Sequence, residues 1–332
     1  MFKQNKFTVS HAPFWHDGDS IKEMNLNIMA AALPATLFGI IQFGMAALGV
    51  VCLSIASAMA WEALFCVAAK RPIVIHDYNA AVIGMLFGMM LPATLPWWAV
   101  ITGTFVCIVI GQQIFGGIGG NPFNPTLIGM AITSLSWQHL FDFNTALVNY
   151  QLTFTALDPL AALKHQGASV VAMFPTSSLL MGKQIGAIGS IFAAGLIAGG
   201  IYLIIRGYIR WEITLSYIAG IVVTAWIFNI TDPVKYATPM FHLLTGYTLL
   251  GAFFLANETS SSPVNLIPMI IYGVIGGCLT ILIRNIGAYP DGTIYAILFI
   301  NLINPLIDKI RPKAFGTIRP KNSGKECKQC VK

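Results

Sequence analysis

The sequence predicts an all-α polytopic membrane protein with about ten transmembrane helices in two inverted five-helix repeats. Three observations carry that expectation. Mean hydropathy is +0.73 and only 10% of residues are charged, whereas a water-facing surface needs roughly a quarter to a third of its residues charged. About ten apolar runs of near-spanning length follow one another along 332 residues. Glycine- and proline-rich breaks such as GGIGGNPFNPTLIG, Gly116 to Gly129, interrupt them.

Residues 1–26 form a polar, mixed arm without an apolar core, so no cleavable signal peptide is expected and the first span serves as its own targeting signal. Apolar runs then fall at 27–43, 44–69, 79–92, 97–115 and 124–137, the first repeat being 27–137. The long polar segment 138–183 connects the halves. Runs at 184–205, 213–230, 239–256, 264–284 and 293–308 make the second repeat, 184–308, and a basic tail occupies 309–332. A perpendicular crossing takes roughly 20 residues. The runs at 79–92 and 124–137 fall short and are bounded by Pro92 and by Pro122 and Pro125. Broken or oblique helices are expected there, with their freed backbone groups lining a cavity buried in protein.

An odd number of spans per half makes the repeats inverted. AAVIGMLFGMMLPATLPWWAVITGTF and YTLLGAFFLANETSSSPVNLIPMIIYG share glycine spacing followed by a polar, proline-containing break, and GGNPFNP and GAYPDG each precede a last span. The basic residues set the orientation. Of 19, 15 lie in the N-terminal arm, the second and sixth loops and the tail; Lys164, Lys183, Lys235 and Arg284 lie on the opposite side. Both termini are therefore expected in the cytoplasm, with 138–183 on the outer face. Topology accounts for the net charge of +6, so no nucleic-acid partner is invoked.

Candidate chemistry sits on few residues. Asn121 and Asn124, in NPFNP, can present amides to a heteroaromatic ligand or cap the half-helix that follows. Glu62, in AWEALF, is a carboxylate within an apolar run, which points to an ion or proton role or to a hydrogen bond into a neighbouring helix. Asp77 and Glu258 fall at span ends, and His76 and His242 lack a partner at ligand spacing. Cys52, Cys66, Cys107 and Cys278 lie in spans as small packing residues. Cys327 and Cys330 form a CxxC that by itself lacks the four ligands of a zinc site. No Fe–S ligand set and no GxGxxG is present, so any oxidation of a soluble substrate is assigned to partner subunits.

Several segments, in order over nearly the whole chain, resemble the D subunits of Rnf-type ferredoxin:NAD oxidoreductases and their relatives, the B subunits of sodium-pumping NADH:quinone reductases. They are HAPFWHDGDSIKEMN, the LPA of Leu33 to Ala35, FGGIGGNPFNPTLIG, DPLAALK, HLLTGYTLLGAFFLANE and YPDGTIYAILFINLINPLID. The resemblance implies a fold related to urea and ammonium channels that holds flavins instead of a pore, in a multi-subunit complex of the inner (cytoplasmic) membrane, in contact with lipid. It also implies FMN joined through its phosphate to a threonine before the PLAALK-like segment, and a second, non-covalent riboflavin near Asn121 and Asn124. Here Asp158 stands where the family has that threonine, and Thr155 lies three residues out of register. A carboxylate offers no hydroxyl for a phosphoester, so no covalent FMN is expected. The same resemblance leaves open the B-type member of a quinone-reductase complex. The other alternative is a passive small-solute channel, although neither 124–137 nor 293–308 carries the pore histidine of ammonium channels.

Overall fold

The computed structural model describes residues 20–72, 75–141 and 157–310, and among these it contains helices and turns but no strand. Thr155, Cys327 and Cys330 lie outside the described residues. Among the described residues, four helical stretches are long and apolar enough to cross a membrane: Ile21–Ala68, Trp97–Phe115, Trp211–Thr231 and Leu266–Asn285. The chain is a membrane protein built of helices.

Helix α1, Ile21–Ala68, starts on Ser20, whose hydroxyl accepts from the Glu23 amide. It is broken at Gly44, at φ 71° and ψ −156°, a conformation open to glycine. The break reverses the chain. A straight helix would set Asn25 and Ala68 about 65 Å apart, and the residues from Ala68 to Asp77 reach at most about 32 Å. Yet Asn25 Nδ2 donates to the Asp77 carbonyl at 2.7 Å, and Lys22 Nζ lies 5.7 Å from the centre of the Tyr78 ring. The two arms of α1 therefore run back to one side, as the separate runs 27–43 and 44–69 require.

The second arm carries α2, Asn79–Met90, which is buried along almost its whole length. Glycines set the approach: a Cβ on Gly84 would meet the Ser54 carbonyl oxygen at 2.7 Å. Helix α3, Trp97–Phe105, continues through a π turn at Val106–Ile110 into a glycine-rich bend, and Asn124 then opens α4, Pro125–Ser136. At 12 residues each, α2 and α4 measure about 18 Å, well short of the ~30 Å hydrocarbon core.

The connecting segment carries α5, Pro159–Gln166, and α6, Thr176–Leu180, and beyond it come α7, Ala193–Ile205, and α8, Trp211–Thr231. The run expected as one helix over 184–205 becomes helical only at Ala193. The amides of Ile188 and Gly189 in the preceding turns donate to the carbonyls of Leu91 and Met89 at 3.1 and 2.8 Å. Those turns thus satisfy the carbonyls left open where α2 stops before Pro92. The run at 239–256 is likewise divided, into α9, Pro239–Leu244, and α10, Thr248–Leu250, which passes into a π turn at Gly251–Leu255. Helices α11, Leu266–Asn285, and α12, Thr293–Ile307, complete the described chain.

Candidate functional site

Two cavities and one buried carboxylate gather the polar chemistry of this apolar molecule. The first cavity opens beside the start of α1, between α2, the approach to α4 and the exit of α10. Its walls are mostly apolar, with Ile28, Val82, Leu86 and Phe253 among them. Asn79, Gln112 and Asn257 also line it. Asn79 Nδ2, Gln112 Oε1 and Asn257 Oδ1 are all buried without a hydrogen-bond partner. A buried polar atom left unpaired costs on the order of 1–3 kcal/mol. The wall of the slot thus holds one unpaired donor and two unpaired acceptors, the kind of polar groups that recognise a flat ring bearing N–H and C=O groups. The edge of an isoalloxazine, a ring N–H between two carbonyls, would match the Asn79 donor and one of the two acceptors, with the second acceptor left over.

Asn121 and Asn124 support that cavity with amides already occupied. Asn124 Oδ1 accepts from the amides of Thr126 and Leu127 at 2.9 and 3.4 Å, capping α4, and its Nδ2 donates to the Leu255 carbonyl. Asn121 Nδ2 donates to the Phe123 carbonyl and to Glu258 Oε1. Both bind the first half of the chain to the second. Glu258 is held in turn by the Ser261 amide at 2.7 Å.

Glu62 is 4% exposed, and its Oε1 accepts from Gln113 Nε2 at 3.2 Å. Its Oε2 is buried without a hydrogen-bond partner. The carboxylate borders a further pocket with Arg71, Asp77 and Gln113. Gln112 and Gln113 follow the π turn of α3 as neighbours, so one amide faces the first cavity while the next holds Glu62. Single π turns are frequent at functional sites.

The second cavity is lined by Asp158, Gln184, Tyr247, Tyr289, Asp291 and Tyr295, with further residues. Asp158 is the N-cap of α5 and accepts from the Leu160 amide at 3.2 Å. Burial, with the Asp291 carboxylate adding to it, pushes the Asp158 carboxyl up to about 6. Asp291 pairs with Arg284 at 2.9 Å and accepts from the Tyr247 and Thr293 amides. Burial alone would raise the Asp291 carboxyl, but the guanidinium and these donors hold it below the usual carboxylate range. Arg284, grouped by sequence with the outer loop charges, is a buried hub whose side chain is 1% exposed. It also donates to the carbonyls of His242 and Thr245 and to the Thr248 hydroxyl. The His242 ring is fully buried, and neither of its nitrogens has a hydrogen-bond partner among the described residues.

A family model described as the NQR2, RnfD, RnfE family matches residues 8–316. The chain belongs to this family. It is 34% identical over 327 residues to the D subunit of the proton-translocating ferredoxin:NAD(+) oxidoreductase complex of Clostridium ljungdahlii, covering 96% of this chain and 98% of that protein. It is 35% identical over 322 residues to the Na(+)-translocating counterpart of Acetobacterium woodii, with the same coverage of each. The D subunit of the ion-translocating oxidoreductase complex of Cronobacter sakazakii is 30% identical over 348 residues, covering 93% of this chain and 99% of that one.

The sequence resemblance places the expected phosphoester to FMN at Asp158. The phosphoester expected at this position needs a hydroxyl, and the residue present is a carboxylate that already occupies the cap of α5. The residues do not fit a covalently held FMN. Lys164, six residues on, donates to the carbonyls of Gly287 and Tyr289 at 2.5 and 2.8 Å and so ties α5 to the loop before α12. Motif reading found Asp158, Glu62, Asn121 and Asn124 but passed over Asn79, Gln112, Asn257 and the Arg284–Asp291 pair. The signal for these was polarity out of place: an arginine closing the apolar run 264–284, an aspartate seven residues on, and paired glutamines after VCIVIG.

Proposed function

We propose that this chain is the membrane-embedded, flavin-carrying electron-transfer subunit of a complex that couples electron flow between ferredoxin and NAD to translocation of sodium ions or protons. The relatives at 34% and 35% identity are subunits of complexes named for that reaction. The observation that carries the coupled reading is the Gln112–Gln113 pair, which joins the cavity with the unpartnered amides to the Glu62 carboxylate. A flavin bound in that cavity supplies one- and two-electron chemistry. This chain's part is to meet the ring edge with the Asn79 amide N–H and with the amide oxygen of Gln112 or Asn257, to exclude water with apolar walls, and to keep a carboxylate one residue's reach away. Glu62 serves as the cation- or proton-responsive group, since a charge in such a place needs a compensating partner.

In this reading the chain has ten spans in two inverted five-helix repeats, on the plan of the urea and ammonium channels. It lies in the inner membrane with both termini cytoplasmic and works with the other subunits of an Rnf-type complex. The broken helices α2 and α10, each followed by a proline-containing break, support the repeat, and the 15-to-4 division of basic residues supports the orientation.

The test takes the complex purified with this subunit. Asn257→Ala together with Gln112→Leu is expected to lower non-covalent flavin content at least tenfold while assembly, read by size-exclusion chromatography, is retained. Unchanged flavin content overturns the cavity assignment. Glu62→Gln keeps shape and removes charge, and is expected to lower ions moved per electron while ferredoxin:NAD turnover persists. An unchanged ratio makes Glu62 structural.

A further inference from the structure

We propose that the cleft beside Asp158 binds an uncharged planar ring ligand, such as a dephosphorylated flavin, and discriminates against the phosphorylated form. The inference rests on the flavin-carrying reading above and assigns a selectivity to the second cavity. Its walls suit a ring: Tyr289 and Tyr295 pack on each other with centroids 4.7 Å apart as a single aromatic wall, and the Tyr247 hydroxyl donates to the Met90 carbonyl at 2.8 Å, fixing that ring at the cleft's edge. Aromatic faces of this kind stack on a planar ligand.

Charge decides against a phosphate. The start of a helix is an anion site through its open amides, and at α5 the Leu160 amide already serves the Asp158 carboxylate. Arg284 is committed to Asp291 and to the carbonyls and hydroxyls around it, and Lys164 to two loop carbonyls. Asp158, Asp291 and Arg284 together leave the cleft with an excess of negative charge, which repels a dianionic group. A cationic pocket with Lys164, Lys235 and Asn285 lies on the far side of Leu160 and Pro290, two residues it shares with the cleft. A phosphate reaching across to it is the competing outcome.

The probes are riboflavin and FMN, titrated into the purified full chain in nanodiscs and read by quenching of flavin fluorescence. Leu86→Trp, or Val82→Trp as a second choice, fills the first cavity and isolates the cleft. In that background riboflavin is expected to bind one equivalent, FMN at least tenfold more weakly, and Asp158→Asn to bring FMN within about threefold of riboflavin. Tyr295→Ala should weaken both. FMN binding as tightly as riboflavin, with the advantage lost in Lys164→Ala plus Lys235→Ala, overturns the proposal in favour of the cationic pocket. Absence of riboflavin binding in both filled variants, with normal size-exclusion profiles, overturns it outright. One equivalent bound alike by the unsubstituted chain and by the filled variant would defeat the first-cavity assignment while leaving this proposal standing.

Discussion

Asp158 shows how one residue alters chemistry and stability together. Its carboxyl titrates at about 6 in the folded chain, against an ordinary 3.8, chiefly because of burial. Between those values the folded state holds the proton more tightly than the unfolded one, so stability falls as pH rises through the window and stays lowered above it. Asp158→Asn removes the titration and keeps an N-cap. The expected outcome is a thermal midpoint that drops less between pH 5 and pH 7.5 in the variant than in the unsubstituted chain, a difference on the order of 1–2 kcal/mol. Equal drops would mean that the carboxyl is not held in its protonated form.

Among the elements, close approach between helices depends on glycine. Without a hydrophobic drive inside lipid, helices associate through tight packing over small residues. A Cβ on Gly199 of α7 would collide with the Ala31 carbonyl oxygen of α1, whereas one on Gly49 would meet nothing within 4 Å. Gly199→Ala is therefore expected to cost about 1–3 kcal/mol, read as a lower thermal midpoint in detergent. Gly49→Ala, in the same long helix as Ala31, should be neutral or stabilising by about 0.5–1 kcal/mol. Equal effects at the two positions would show that α7 does not pack on α1 at this distance.

For the whole molecule, the division of basic residues makes a geometric statement about the sides of the membrane. Lys70 follows α1, and Gln166 ends α5 in the connecting segment. In a chain without other cysteines, Gln166→Cys is expected to react with an impermeant maleimide added to intact cells, and Lys70→Cys only after permeabilisation. The opposite pattern would reverse the orientation and place the Asp158 cleft on the cytoplasmic side.

The helical membrane class was legible in the sequence, as were the helix ends at Pro92 and before Pro125 and the carboxylate at position 158, whereas the divisions of the runs 184–205 and 239–256 were not. The legible features are local matters: hydropathy over some twenty residues, a proline that cannot continue a helix, a side chain with no hydroxyl. The candidate site was legible where it coincided with a motif, as at Asn124, whose capping role follows from the proline after it. Which amides are left without a partner depends on the packed fold. Asn121 and Asn124 are used up by partners as distant in sequence as Glu258 and Leu255, and Asn79, Gln112 and Asn257 are left facing the cavity. Sequence polarity could not separate the two groups, because an amide's availability depends on what the rest of the fold brings against it. The same holds for Arg284: an arginine at the end of a span reads as a loop charge, and only the folding of the Asp291 loop onto α11 turns it into a buried hub.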